Sequence, residues 1–292
     1  MTPSAEPRVQ PNTLAYKAYE IEELADLYFF RPVGARVARA ARILGLSPTH
    51  VTLLGGLIGI GAGSLLYDER LGLIAFALLV VHSVVDSADG QLARMTGQVT
   101  ELGRILDGVG GYMTHAAIYI AIVAGFIGRG GSVSIIGWAL LSAIANTAHA
   151  QLYDYFRNSY ARIAIHGVVP RDHHTTSLLP WARAVLRAYE TVQRRLTGIH
   201  GRVESAIAAR SPRGVVSDAD RARYRACFYW PVRGWNFLGD NTRFYAVGAL
   251  ASIHHLEWFF AFVLVPMNLA LVALWIWQRR ADRRFLGSAV VG

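Results

Sequence analysis

Apolar blocks about 20 residues long are the feature that most constrains how this chain can fold. Parts of two of them read LGLIAFALLVVHSVV at 71–85 and YMTHAAIYIAIVAGF at 112–126. A helix needs roughly 20 apolar residues to cross the hydrocarbon core of a bilayer. The chain of 292 residues is 53% hydrophobic and only 17% charged, and its mean hydropathy is +0.30. Because these values are too apolar for an ordinary soluble domain, the sequence predicts an all-α integral membrane protein.

Hydropathy and turn residues together predict six transmembrane helices. Arginine is concentrated before the first of them, in the long segment between the fourth and fifth, and in the motif RRADRR at 279–284. Since cytoplasmic loops are enriched in basic residues, both termini and the tail at 279–292 are expected in the cytoplasm, and the protein in the cell inner membrane or its equivalent. The expected spans are 50–67, 71–95, 101–127, 132–157, 239–255 and 257–277.

The segments before the first span have two different compositions. Residues 1–13 are polar and rich in proline, which is typical of a disordered tail. Residues 14–46 carry apolar side chains at helical spacing with arginines between them, which predicts an amphipathic helix along the membrane surface. Pro32 is expected to divide or kink this helix. There is no apolar h-region near the N-terminus, so no cleaved signal peptide is expected.

A basic insert at 158–238 separates the fourth and fifth predicted spans. It holds thirteen arginines and five acidic residues. Apolar residues at 179–192 and 196–208 predict two surface helices, and SPRG at 211–214 predicts a break after them. The insert is read as a solvated or headgroup-facing surface, with a substrate-binding lid as the alternative.

The overall charge and the cysteine count limit the partners. The formal net charge is +9 and comes almost entirely from arginine. On a membrane protein this favours contact with anionic lipid and not with nucleic acid. The single cysteine, Cys227, excludes an internal disulfide and a zinc site made of several cysteines.

Three aspartates stand at the edges of the two apolar blocks. Asp86 and Asp89 are three residues apart and share a helix face. A chain reversal around TGQ at 96–98 would bring Asp107 opposite them. Three carboxylates in a low-dielectric cleft repel one another unless a cation neutralises them, and oxygen ligands suit Mg²⁺, Mn²⁺ or Ca²⁺ and not zinc or copper. The alternative is a structural role, in which the acids pair with nearby arginines.

Residues next to these acids are suited to a phosphate. Gly90 and Ala93 have little side-chain bulk, so a ligand could approach the helix there. Arg94 lies about two turns beyond Asp86 and can bind a phosphate oxygen. A cation, an arginine and small residues together predict a pyrophosphate site.

The ordered pattern resembles the signature of the CDP-alcohol phosphotransferases. It reads Asp86, Asp89, Gly90, Ala93, Arg94, Gly103, Asp107 and then Gly111, where the family has its last aspartate. SPTHVT at 47–52 also resembles the family's entry to the first span. The resemblance covers roughly residues 20–157 well and the fifth and sixth predicted spans loosely, and it does not extend to the insert at 158–238.

This resemblance implies a reaction and its site residues. An acceptor hydroxyl attacks the β-phosphorus of a CDP-linked donor such as CDP-diacylglycerol or a CDP-alcohol, and CMP leaves. Asp86, Asp89 and Asp107 would hold Mg²⁺ or Mn²⁺. The CDP pocket would be lined by Gly90, Ala93, Arg94, Gly103 and Thr52. The family also implies a homodimer that makes phospholipid.

Gly111 departs from the family pattern at the position of the general base. His115 lies one helical turn further on the same face, and helical side chains lean toward the N-terminus. His115 is therefore the candidate base, and the loss of one carboxylate suggests one firmly held metal instead of two. The alternatives are a non-catalytic homologue that binds CDP-lipid and metal without turnover, and a transporter, which the placement of charge at one membrane face disfavours.

Overall fold

The computed structural model describes residues 19–169, 197–211 and 214–287, and almost all of them form helices. Within these ranges there is no β-strand, only an isolated antiparallel bridge between Val168 and Val215. The predicted all-α class is therefore confirmed for this part of the chain. The α-helices are α1 (Arg31–Ile43), α2 (Pro48–Leu65), α3 (Gly72–Thr96), α4 (Glu101–Gly128), α5 (Ile135–Tyr160), α6 (His200–Arg210), α7 (Asp218–Trp235), α8 (Asp240–Ser252), α9 (Trp258–Phe262) and α10 (Asn268–Gly287).

The segment before α2 has a short 3₁₀ turn, Tyr19–Ile21, and then a continuous helix over 24–43 that contains one π-helical turn. A π-helical turn, Asp26–Phe30, leads directly into α1, and Pro32 follows near the start of that helix. Proline has no N–H to donate, so a local change of helix type at this point is expected. One face of α1 buries small residues and the other exposes three arginines, Arg36, Arg39 and Arg42. Its position on a membrane surface stays a prediction, and residues 1–18 lie outside the described ranges.

Local signals set the ends of α2, α3 and α4. Ser47 caps α2, since its Oγ accepts the N–H of His50 at 3.3 Å. Gly97 follows α3 with a φ of 68°, a left-handed conformation that suits glycine. Thr100 then caps α4 by accepting the N–H of Gly103 at 3.0 Å. The chain thus reverses at the predicted turn.

Glycines let α2 lie against its neighbours with almost no gap. Gly59 faces α3 and α4 so closely that an added Cβ would collide with Thr114 Oγ1 and lie 2.9 Å from His82 Nδ1. A Cβ on Gly63 would lie 2.9 Å from the backbone nitrogen of Ile118. Such small residues are the usual means of close helix packing in membranes. As a result, α3 and α4 both pack directly against α2.

The described residues divide into two compact units, each built from two separate stretches of chain. Unit 1 comprises residues 19–140 and 241–262, and unit 2 comprises the described residues of 141–240 together with 263–287. Helices α1 to α4 and α9 lie in unit 1, together with all of α8 after Asp240. Helices α6, α7 and α10 lie in unit 2 with most of α5.

The core of unit 2 is formed largely by the predicted insert. The insert contributes α6, which corresponds to the helix expected at 196–208, and α7, which was not expected from the sequence. Tyr224, Phe228 and Trp235 of α7 are fully buried, and the Trp235 ring stacks on Phe156 with centroids 4.7 Å apart. The other expected helix, at 179–192, lies outside the described residues. The insert therefore has a packed interior as well as a basic surface.

A buried polar network connects the helices of unit 2. His200 lies at its centre, with its Nδ1 2.7 Å from Asp282 Oδ1 and its Nε2 2.9 Å from the Tyr224 hydroxyl. Ser159 Oγ donates to Glu204 at 2.6 Å. Buried polar groups that have partners hold helices in one register, because breaking the contacts leaves the groups unsatisfied.

Three continuous helical segments in the described ranges are long and apolar enough to cross a membrane. They are Glu69–Thr96, which is a 3₁₀ turn and α3, Glu101–Gly128, which is α4, and Trp258–Gly287, in which a π-helical turn joins α9 to α10. They correspond to the second, third and sixth predicted spans. The other three spans stay predictions. The fifth coincides with α8, whose 13 residues would extend about 20 Å at the usual helical rise.

Candidate metal centre

The carboxylates of Asp86, Asp89 and Asp107 converge, as the spacing predicted. One oxygen from each lies within 4.8 Å of the others. Asp86 and Asp89 stand on one face of α3, and the reversal at Gly97 brings Asp107 of α4 to them. Asp89 is buried with 6% exposure, whereas Asp86 and Asp107 are exposed. The cluster thus has one inner carboxylate and two at its opening.

This geometry fits one hard divalent cation. Oxygen ligands lie about 2.0–2.6 Å from Mg²⁺ or Ca²⁺, so two ligands of one ion are at most about 4–5 Å apart. The separation of 4.8 Å satisfies that limit. In addition, Asp89 Oδ2 is buried and has no hydrogen-bond partner among the described residues. A buried carboxylate oxygen without a donor needs a compensating positive charge, which a cation would supply.

Residues expected to meet a phosphate lie beside the carboxylates. Arg94 is half-buried in α3, within electrostatic range of Asp89. Gly90 is one turn away, and a Cβ placed there would lie 3.4 Å from Arg94 Nη1. Ala93 is also half-buried. The absence of bulk at Gly90 keeps one side of the guanidinium open.

Thr52 and Gly103 have clear local roles in the structure. The Thr52 hydroxyl donates to the Pro48 carbonyl at 3.1 Å and lies beside the Asp89 carboxyl group. The α2 helix therefore reaches the metal centre through this threonine. Gly103 is in the first turn of α4, held by the Thr100 cap. Its part in nucleotide binding stays a prediction.

Gly111 leaves open space and His115 leans toward it. A Cβ on Gly111 would meet no atom within 4 Å. The His115 ring lies one turn deeper, with Nδ1 3.0 Å from the Gly111 carbonyl oxygen. This contact follows the expected direction of helical side chains. If Nδ1 carries the proton and donates it to that carbonyl, Nε2 is the basic nitrogen.

Two further groups around the site were not predicted from the sequence. Phe244 of α8 stacks on His115 with ring centroids 5.7 Å apart and an interplanar angle of 25°. The Glu22–Arg31 ion pair, at 3.2 Å, lies within electrostatic range of the Arg94 guanidinium group. Both contacts join residues distant in sequence, so no local pattern could reveal them.

Comparison with known proteins finds two curated relatives and one family model. An archaetidylinositol phosphate synthase from Pyrococcus horikoshii is 32% identical over 94 residues, which is 32% of this chain and 50% of that protein. An uncharacterized protein from Aquifex aeolicus is 35% identical over 92 residues, 31% of this chain and 46% of its own length. The chain thus spans about half the length of the curated relatives it matches. A family model described as CDP-alcohol phosphatidyltransferase matches residues 46–178.

Proposed function

We propose, from the match of residues 46–178 to the family model described as CDP-alcohol phosphatidyltransferase, that this protein is a membrane transferase of phospholipid synthesis. It moves a phosphoalcohol or a phosphatidyl group from a CDP-linked donor to an acceptor hydroxyl. The observation that carries the proposal is the convergence of Asp86, Asp89 and Asp107 within 4.8 Å. The family match to that region and the resemblance of the sequence motif agree with the proposal.

The donor would lie with its pyrophosphate at the three carboxylates. Asp86, Asp89 and Asp107 would hold Mg²⁺ or Mn²⁺, which would neutralise the pyrophosphate and the departing phosphate. Arg94 would bind a phosphate oxygen in a charge-assisted hydrogen bond. Gly90, Ala93, Gly103 and Thr52 would shape the CDP pocket, since small side chains leave room for the nucleotide against the helices.

The transfer forms one bond and breaks one bond. The acceptor oxygen bonds to the β-phosphorus, and the bond from that phosphorus to the bridging oxygen breaks, so CMP leaves with the electron pair. The acceptor proton goes to Nε2 of His115, whose orientation is set by the Gly111 carbonyl and by the stacked Phe244 ring. An imidazole is suited to accept a proton near neutral pH.

The proposal includes a topology and an oligomeric state. Six spans place the carboxylates and both termini at the cytoplasmic face, because arginine is enriched in the segments assigned there. A homodimer is expected from the family resemblance. The non-catalytic alternative keeps the metal and nucleotide site but has no turnover.

A direct test is CMP release by the purified full-length protein with Mn²⁺ or Mg²⁺. CDP-diacylglycerol and small CDP-alcohols serve as donors against a panel of acceptors. The Pyrococcus relative is named for archaetidylinositol phosphate, so an inositol phosphate belongs in that panel. We expect CMP in wild type and in Asp218→Asn, whose carboxylate lies in unit 2 and is 98% exposed. No CMP from wild type with any donor and acceptor would contradict the proposed activity.

A further inference from the structure

A basic cleft lies between α7 and α10 in unit 2, and no residue that lines it belongs to the metal centre. Its volume is about 290 Å³, close to the lower end of the usual range for small-molecule sites. Neither the predicted reaction nor the family match assigns it a role. The described residues that line it are Ala226, Cys227, Trp277, Arg280, Ala281 and Arg284.

Positive charge is concentrated at this cleft. Arg280 and Arg284 are exposed and four residues apart on α10, so they stand on one helix face, where two like charges repel each other. Arg223 of α7 does not line the cleft, and its Nη2 donates to the Phe285 carbonyl oxygen at 2.6 Å. A bound anion would be attracted by Arg280 and Arg284 together.

The acidic residue nearest in sequence faces elsewhere. Asp282 is fully buried, and its Oδ1 contacts His200 Nδ1 at 2.7 Å and accepts from Gln278 Nε2 at 3.2 Å. Among the described residues that line the cleft there is no carboxylate. The cleft therefore offers guanidinium donors to a ligand that brings its own negative charge.

The cleft also lies where the last candidate span changes from apolar to basic. Trp277 is 43% exposed at its edge, and RRADRR follows at 279–284. Tryptophan and arginine are the residues typical of the headgroup level of a bilayer. A ligand at this depth would be a phosphate-bearing headgroup or a soluble phosphate arriving from the water.

We propose that this cleft binds a negatively charged phosphate group, carried by an anionic phospholipid headgroup or by a free phosphate. The planar guanidinium groups of Arg280 and Arg284 donate to the phosphate oxygens, as arginine commonly does. Ala226 and Ala281 leave room between the helices, and the Trp277 ring covers the edge. This proposal does not depend on the transferase activity.

Cys227 provides a direct measure of occupancy, since it lines the cleft and is the chain's single cysteine. The full-length protein in a neutral detergent is alkylated at this thiol with or without a probe. The probes are phosphatidylglycerol, phosphatidylcholine and inorganic phosphate. At about ten times its Kd, a bound probe is expected to slow alkylation about tenfold, because only about a tenth of the sites stay free.

Three single substitutions on α10 are matched in charge and keep the test specific. Arg280→Gln and Arg284→Gln are each expected to raise the Kd of the probe about tenfold, the usual effect of one lost charge-assisted hydrogen bond. The same probe concentration should then slow alkylation only about twofold. Arg283→Gln removes an exposed arginine that does not line the cleft, and it should keep the protection. Since arginine also affects thiol reactivity, rates with and without probe are compared within each variant.

The outcomes separate the two sources of phosphate. Protection by phosphatidylglycerol alone supports a lipid headgroup, and protection by inorganic phosphate supports a free phosphate. The proposal is overturned if neither phosphatidylglycerol nor inorganic phosphate slows alkylation, or if phosphatidylcholine protects as well as they do. It is also overturned if all three glutamine variants show the same protection. Melting curves of each variant confirm that the protein is folded.

Discussion

The inner carboxylate, Asp89, is the residue on which the metal centre depends most. It is buried, and its Oδ2 has no hydrogen-bond donor in the described structure. Mn²⁺ with CDP should raise the melting temperature of wild type, because a ligand bound only by the folded state stabilises it. Asp89→Asn should abolish this shift, measured by thermal unfolding in detergent.

Asp218→Asn is the control for that substitution, since it also removes one carboxylate charge but from an exposed position. Its shift should equal that of wild type. A full shift in Asp89→Asn would exclude the assignment of this carboxylate as a ligand.

The pair Gly111 and His115 decides between a catalytic and a non-catalytic protein. His115→Ala should lower CMP release by about 10²–10⁴-fold, the usual contribution of a general base. Adding Gly111→Asp to that variant should restore part of the activity. A Cβ at this position would meet no atom within 4 Å, so a carboxylate fits there and can accept the proton.

The activities of both variants are measured across pH, since a carboxylate base would extend activity to lower pH than an imidazole. Full CMP release in His115→Ala would show that another group takes the proton. Inactive wild type with an active Gly111→Asp variant would favour the non-catalytic homologue.

At the scale of helices, the row of glycines on α2 should determine stability. Gly63→Val should destabilise the protein by about 1–3 kcal/mol, the usual effect of overpacking, because a Cβ there would lie 2.9 Å from the Ile118 backbone nitrogen. Gly61→Val on the same helix should have little effect, since a Cβ there meets no atom within 4 Å. Denaturant unfolding of both variants is the measurement, and equal losses would contradict the packing described.

Helix α7 should make stability depend on alkaline pH through Tyr224. Burial raises the pKa of this phenol well above its usual value in the folded protein. The unfolded chain then loses the proton first, at a pH near 10, so the free energy of unfolding falls as the pH rises above that value. Tyr224→Phe should reduce this alkaline loss.

The measurement is the melting temperature between pH 8 and 11, and Tyr229→Phe on the same helix is the control. Tyr224→Phe should also lower stability at neutral pH, since His200 Nε2 and Ser159 Oγ each lose a hydroxyl partner. An alkaline slope identical to that of wild type would contradict the role of Tyr224.

The sequence predicted helices well where their ends carry local signals. The expected spans at 71–95 and 101–127 match α3 and α4 because Gly97 and the Thr100 cap mark the turn between them. The three aspartates could be placed for the same reason, from helix periodicity and one reversal. Helix α7 was missed because its buried aromatic residues alternate with arginines, and its burial depends on distant partners such as Phe285.

For the whole molecule, the number of spans determines where the two termini lie. Six spans place both in the cytoplasm, whereas the three apolar helices alone would place them on opposite sides. We expect a fluorescent reporter fused at either terminus to be active and a periplasmic phosphatase at either terminus to be inactive. An active phosphatase at one terminus would indicate an odd number of spans.

The division of each unit into two stretches has a consequence for synthesis. Unit 1 consists of residues up to Leu140 together with residues 241–262, so its packing is complete only when the second stretch has been synthesised. At about 5–20 residues per second, the ribosome takes about 5–20 s to make the hundred residues between them. Helices α3 and α4, which carry Asp86, Asp89 and Asp107, can assemble before that delay ends. His115 acquires its stacking partner Phe244 only afterwards. The proposed base is therefore among the last groups of unit 1 to be fixed as the nascent chain folds.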